Sequence, residues 1–371
     1  NRTYDTTTNT TVVGNGVLGN IVTSDIGQVS LDASTVGGAF QLKDAGSQRA
    51  VSVWGNITGS AASDYSLSGA TAYADIARAQ LQVTGASAAN KIYDGNDTAT
   101  LVTSGATFDG MFNGDVLTVA TSSGVFSDAR AATGKTVSIS GITLGGTDAG
   151  NYTLTTSTAS TTATIDPKAL TVTALSQTKV YDSNTSVASN ALNVGYSVGT
   201  MIGSESLSGV TLAYSGANVS RDGSGAVLSD KTITVSAAQA GSGTVLSDYA
   251  ISYVNNTMST ITPFAVSLAG TRVYDATTAV AASNFTIGTP LVGSETLGLT
   301  GSGTLADKNV GQNKAVGLGT LTLVDGTAGG LASNYALTGS RTATITRAAI
   351  SSVSGITATN KTYDGNDTAT L

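Results

Sequence analysis

Cysteine and histidine are both missing from the 371 residues. Their absence rules out a disulfide staple and a thiol nucleophile, and it removes the commonest zinc ligand together with the commonest general base. An enzyme built from this alphabet would have only carboxylates and serine–lysine pairs to work with, so no catalytic site is expected. Charge is scarce too: Asp, Glu, Lys and Arg make up 11% of the chain and leave a formal net charge of −7. That balance repels a polyanion, so nucleic acid is not an expected partner. No apolar run approaches the ~18 residues that span a bilayer, and no membrane insertion is expected. Trp54 is the sole tryptophan, so no repeated aromatic platform exists for stacking on sugars. The first residues do not form a charged-then-apolar signal peptide. For a secreted parent chain the export signal is expected upstream of Asn1.

What is present is a repeat. The eleven residues Lys91 to Leu101 return at Lys361 to Leu371 with one change, Ile92 to Thr362. Looser copies surround Tyr4-Asp5, Tyr181-Asp182 and Tyr274-Asp275, beside Tyr93-Asp94 and Tyr363-Asp364, and consecutive tyrosines of the five pairs stand 88 to 93 residues apart. That is the length of a small β domain, several times that of one solenoid coil. A second tyrosine, at Tyr65, Tyr152, Tyr249 and Tyr335, follows a polar pair later in each copy. With 40% hydrophobic residues the chain is rich enough in apolar surface to fold despite its low charge.

Strands are expected where apolar and polar residues alternate, as in Gln80 to Thr84, Lys135 to Ser140 and Lys231 to Ser236. No stretch keeps a helical period across three turns. Pro167 and Pro263 stand at equivalent places, and proline suits the handover between the last strand of one domain and the first of the next. The expected organisation is all-β: a rod-like tandem array of Ig-like β-sandwich repeats of about 90 residues. Its divisions are residues 1–77, lacking a first strand, then 78–166, 167–262 and 263–346, with 347–371 supplying the first strand or strands of a further repeat.

The recurrent Tyr-Asp pair reads as structural. The ring fills the end of a sandwich with its hydroxyl bonded to backbone at the rim, while the aspartate caps the turn entered at Gly95, Ser183 or Ala276. The competing reading is calcium, held by Asp94, Asn96 and Asp97 with Asp148 of the same repeat. Asn184 with Thr185, and Thr277 with Thr278, replace Asn96 and Asp97 in other copies, so the ligand set is incomplete there. No other cofactor is expected. A Lys–Asn isopeptide link from Lys91 or Lys179 is excluded in the copies that carry Arg2 or Arg272 instead.

Lys91 to Thr100, the step Gly114-Asp115, Asp148 to Leu154 and Ala163 to Val172 closely resemble the YDG repeat. That repeat, with the related mostly bacterial Ig-like (MBG) repeat, occurs in haemagglutinin-like exoproteins exported by two-partner secretion. The resemblance covers essentially the whole chain and is strongest in residues 78–166. It implies an extracellular or bacterial cell-surface adhesin, with an outer-membrane secretion partner and with these repeats as its stalk. It implies no catalytic residue. On that footing the expected function is a spacer that carries a distal binding region away from the cell in adhesion or biofilm formation. The alternatives are a filament of identical subunits joined head to tail by strand complementation, and carbohydrate or receptor binding by the loops.

Overall fold

The computed structural model describes residues 1–369 except Thr289, and among them every regular element is a β-strand or a single 3-10 turn. Thr370 and Leu371, the last two letters of the final repeat copy, lie outside the described residues. Contacts divide the chain into two compact units, one of residues 1–169 with Val245–Ala250, the other of residues 170–244 with 251–371.

One sheet recurs. In the first unit the short strand Arg2–Thr3 lies parallel to Ala70–Ala77, followed antiparallel by Gly46–Thr58, Ser30–Phe40 and Asn9–Thr10. The second repeat gives the same order with Lys91–Ile92, Ala159–Asp166, Ala132–Gly145, Thr118–Phe126 and Thr98–Ala99. In the second unit Thr178–Val180 lies beside Asn256–Thr262, and Leu268–Val273 beside Arg341–Thr346, again parallel. The register is constant: Arg2, Lys91, Lys179 and Arg272 stand opposite Ile76, Ile165, Ile261 and Ile345. Each of those isoleucines is at most 2% exposed, so the cation is in every copy placed in register with a core aliphatic.

The alternation read from the sequence becomes burial. Ala79–Thr84 buries every second side chain, Ala79, Leu81 and Val83, and pairs with Thr107–Asp109 on one side and Tyr152–Leu154 on the other. Residues 347–369, where a further first strand was expected, carry no strand and are all exposed.

The cores do not stop at the sequence boundaries. In the first unit Tyr4, Phe40, Val51 and Ile76 of the first repeat share one apolar cluster with Leu81, Val83, Leu117, Ile139 and Tyr152 of the second. In the second unit a cluster built on Val172, Tyr181, Tyr214 and Ile233 takes in Val266 and Tyr335 of the fourth repeat. Burial at these junctions is that of an interior, which removes the freedom a solvated linker would have.

Candidate functional site: a tyrosine clasp at the repeat junctions

Each Tyr-Asp turn is a bracket closed by the cation three residues before the aspartate. Lys91 Nζ lies 2.8 Å from Asp94 Oδ1, 2.7 Å from the Asn96 carbonyl and 2.9 Å from Asn96 Oδ1. Lys179 does the same with Asp182 and Asn184. In the copies with arginine a threonine replaces the asparagine, and Arg2 and Arg272 reach Asp5 with the Thr7 carbonyl and Asp275 with the Thr277 carbonyl. Lysine and arginine therefore serve one role with different partners, because a compact ammonium needs the Asn oxygen that the longer guanidinium does without. The cations also lie over rings, Lys91 at 5.6 Å from Phe126 and Arg2 at 5.3 Å from Phe40.

The aspartate caps its turn, accepting the amide two residues on: Asn96 at 3.0 Å, Thr277 and Thr7 at 2.9 Å. Amide and hydroxyl bonds from Thr277, then the Arg272 contact, hold the Asp275 carboxyl below the usual aspartate value. Partial burial works to raise that of Asp94, but the Lys91 and Asn96 bonds outweigh it and the net shift is downward. The residue after the aspartate is left-handed in every copy, with φ of 69° at Thr6, 79° at Gly95, 64° at Ser183 and Ala276, and 76° at Gly365. Only glycine takes that conformation freely, at a difference of roughly 1–2 kcal/mol for other residues. Ala276→Gly is accordingly expected to raise stability by about 1 kcal/mol and Gly95→Ala to lower it by a similar amount, read from thermal melts. A loss of stability in Ala276→Gly, a gain in Gly95→Ala, or no change in either would contradict the turn geometry.

The bracket aims the tyrosine at the next repeat. Tyr4 donates to both oxygens of Asp115, at 2.9 and 3.1 Å, and Tyr152 donates to the same carboxylate at 2.6 Å. The two rings meet edge to face, 5.6 Å apart at 74°. The second unit repeats the arrangement with Tyr181 and Tyr335, each 2.7 Å from one oxygen of Glu295, and rings again 5.6 Å apart. Phe112 and Val292 present a backbone amide to the Tyr152 and Tyr335 hydroxyls, at 3.0 and 3.2 Å. Tyr93 and Tyr249, in the first unit, make the same ring contact at 5.7 Å. The expectation that these hydroxyls bond backbone at the rim of their own domain is thus corrected for Tyr4 and Tyr181: they cross to a carboxylate of the following repeat. Burial first, then the Asp115 bond, pushes the Tyr4 and Tyr152 hydroxyls well above the ordinary tyrosine value. For Tyr181, burial and then Glu295 raise it to about 12.

A second contact flanks the clasp. The residue before Tyr152, Tyr249 and Tyr335, at the end of a 3-10 turn, plugs into a loop of the preceding repeat. Asn151 accepts from the Ala45 amide at 2.9 Å and donates to Asp44 at 3.1 Å, while Asn334 accepts from Val219 at 2.8 Å and donates to Asn218 at 2.9 Å. At the corresponding place Asp248 accepts from the Ala131 amide at 2.7 Å and from Arg130 at 2.8 Å. Where the loop offers an acceptor the plug is asparagine; where it offers a cation the plug is aspartate. All three plugs are at most 4% exposed.

Of the calcium candidates, Asp94 and Asn96 do converge, on the Lys91 ammonium. Asp97 is exposed, and Asp148 accepts the Val116 amide instead, at 2.9 Å. No group of three or more acidic side chains suited to a metal occurs among the described residues. A cleft of about 500 Å³ in the first repeat, between Val12 and Val36, is lined mostly by aliphatic side chains and glycine and holds no titratable group. The acids of the clasp were not singled out as partners of the tyrosines in the sequence. The available signal was an acidic residue, Asp25, Asp115, Glu205 or Glu295, placed 21 to 24 positions after each of the first four Tyr-Asp tyrosines.

A family model, the YDG domain, matches residues 1–72, 77–161 and 257–344. The chain belongs to the YDG domain family. No curated protein and no solved structure matches it. The clasp thus joins YDG repeats, and the tyrosine and aspartate of the YDG signature act together: the aspartate shapes the turn that delivers the tyrosine across the junction. The third repeat, most of which lies outside the matched segments, carries the same Tyr181 bracket and the acid Glu205.

Proposed function

We propose that this YDG array is the stalk of a secreted bacterial surface adhesin, in which immunoglobulin-like repeats hold a distal binding region away from the cell. The observation that carries the reading is the continuity of the core through junctions locked by a tyrosine–carboxylate–tyrosine clasp. A chain that only needed to display independent binding domains would not bury their ends in one another. The scarcity of charge and the absence of cysteine and histidine give the array little chemistry beyond holding its length. Its extracellular setting, its export by two-partner secretion and its part in adhesion or biofilm formation rest on the family resemblance.

Small-angle scattering tests the extension. Strands of six to ten residues at ~3.3 Å each put roughly 30–40 Å on the axis per repeat, so the chain is expected to reach about 120–160 Å. A radius of gyration near the ~21 Å of a compact 371-residue globule would sink the proposal.

A further inference from the structure

The outer face of the first repeat's sheet carries an aromatic strip that the second repeat lacks. Ser52 stands opposite Ala39 on one side and Thr71 on the other, with Asn9 beyond Ala39. Two positions on, Trp54 is opposite Gly37; two positions back, Ala50 is opposite Tyr73. Residues in register share a face, so these side chains lie together on the side of the sheet away from the buried Val51 and Ile76. Trp54 and Tyr73 mark the two ends of the strip, 53% and 65% exposed. Between them the side chains are small or polar and uncharged, and Asn9, Ser52 and Thr71 are exposed.

Two observations show that the strip is built. A Cβ added at Gly37 would come within 2.6 Å of Trp54 Nε1, 2.7 Å of Cε2 and 2.9 Å of Cζ2, so glycine alone leaves the indole room to lie against the sheet. The ring is pinned by its own scaffold, and a ligand that stacks on it does not have to order it first. The second observation is the comparison between repeats. In the second repeat the same register puts Ser140 at the position of Trp54 and Thr162 at that of Tyr73, with Ser138 and Ser160 between. All four are exposed although that repeat has a neighbour on each side, so this face of a repeat stays open inside an array.

We propose that the strip binds a neutral, extended polysaccharide of β-linked pyranoses, with sugar rings on Trp54 and Tyr73 and sugar hydroxyls on Asn9, Ser52 and Thr71. The axial C–H bonds of a pyranose carry slight positive charge and meet the negative face of an aromatic ring, while its equatorial hydroxyls suit amide and hydroxyl partners. Trp54 and Tyr73 stand four residues and one strand apart, roughly 14 Å by strand geometry, a span for an oligosaccharide and not for one sugar. A strip that runs along the strands fits the extended chain that β-linkage gives, and not the coil of an α-linked one. No lysine or arginine occupies the strip, and Asp75 follows two positions after Tyr73, so an anionic sugar is disfavoured. The site lies on one repeat and uses no clasp, so it stands or falls apart from the stalk.

Because Trp54 is the sole tryptophan, its fluorescence reports on this site alone. Titrating the whole chain with cellohexaose and with chitohexaose is expected to shift the emission saturably, with a dissociation constant of about 1 mM or below, and the two arms tell glucose from N-acetylglucosamine units. Maltohexaose, the α-linked isomer of cellohexaose, is expected to leave the emission unchanged. Tyr73→Ala keeps the reporter and removes the second ring, and is expected to weaken binding about tenfold. Gly37→Ala, which pushes the indole off its seat, is expected to weaken it by a similar factor; should that change unfold the repeat in thermal melts, Tyr73→Ala on its open surface decides alone. Tyr363→Ala, at a tyrosine 93% exposed and off the strip, is expected to bind as the parent does. Silence toward both β-linked oligomers overturns the proposal, as does an equal response to maltohexaose or undiminished binding by Tyr73→Ala.

Discussion

Tyr181→Ala is expected to cost the second unit about 3–5 kcal/mol in urea unfolding, with the midpoint lowered and the slope unchanged. The ring is 3% exposed and packs in the cluster that joins the third and fourth repeats, edge to face with Tyr335. Removing it opens a cavity at the junction and leaves one Glu295 oxygen without its donor. Tyr181→Phe keeps the packing and gives up only the 2.7 Å bond to Glu295, an expected loss of about 1.5–3 kcal/mol. Because Tyr335 donates to the other oxygen of the same carboxylate, the pair Tyr181→Phe and Tyr335→Phe should cost more than the sum of its parts. Either single change leaves Glu295 one tyrosine donor; both together leave it none, at a coupling of about 0.5–3 kcal/mol. Tyr73→Ala, on an open surface, is expected to stay within about 0.5 kcal/mol of the parent. A silent Tyr181→Phe would show that packing alone holds the junction and that the carboxylate contributes nothing.

Much of this was legible because the motif is local. The Lys361 bracket forms the same three bonds, to Asp364 and to both Asn366 oxygens at 2.8 to 2.9 Å, although no strand surrounds it. A cation, an aspartate three residues on and an Asx or threonine turn specify each other within seven positions, so the turn reads directly from the letters. Period-two alternation likewise placed Gln80 to Thr84 and Lys135 to Ser140, where burial follows every second residue. What could not be read was the destination of the tyrosine hydroxyl. Tyr4 and Asp115 are 111 positions apart and Tyr181 and Glu295 are 114, so their pairing depends on how one repeat docks on the next, which no local pattern encodes. The same holds for Asn151 and Asp44. Each is an ordinary loop residue alone, and only the alternation of Asp44–Asn151 with Arg130–Asp248 discloses a matched pair.

Alkali is expected to open these junctions. A tyrosine in the unfolded chain ionises near pH 10. In the clasp, burial and the neighbouring carboxylate disfavour the phenolate, so the folded value lies higher: about 12 for Tyr181, and further up for Tyr4, Tyr152 and Tyr335. A group whose value is raised on folding contributes stability that is fully present below its unfolded value and is lost as pH rises through its folded one. The contribution of Tyr181 is therefore intact up to about pH 10 and disappears between there and about 12. Absorbance of the phenolate should show the clasp tyrosines ionising only with the cooperative loss of β structure followed by circular dichroism. Tyr181→Phe should flatten the fall in stability over that window while lowering stability at neutral pH. If all 13 tyrosines ionised together near pH 10 with the β signal intact, the hydroxyls would be open to solvent and the shared carboxylate could not be what holds one repeat to the next.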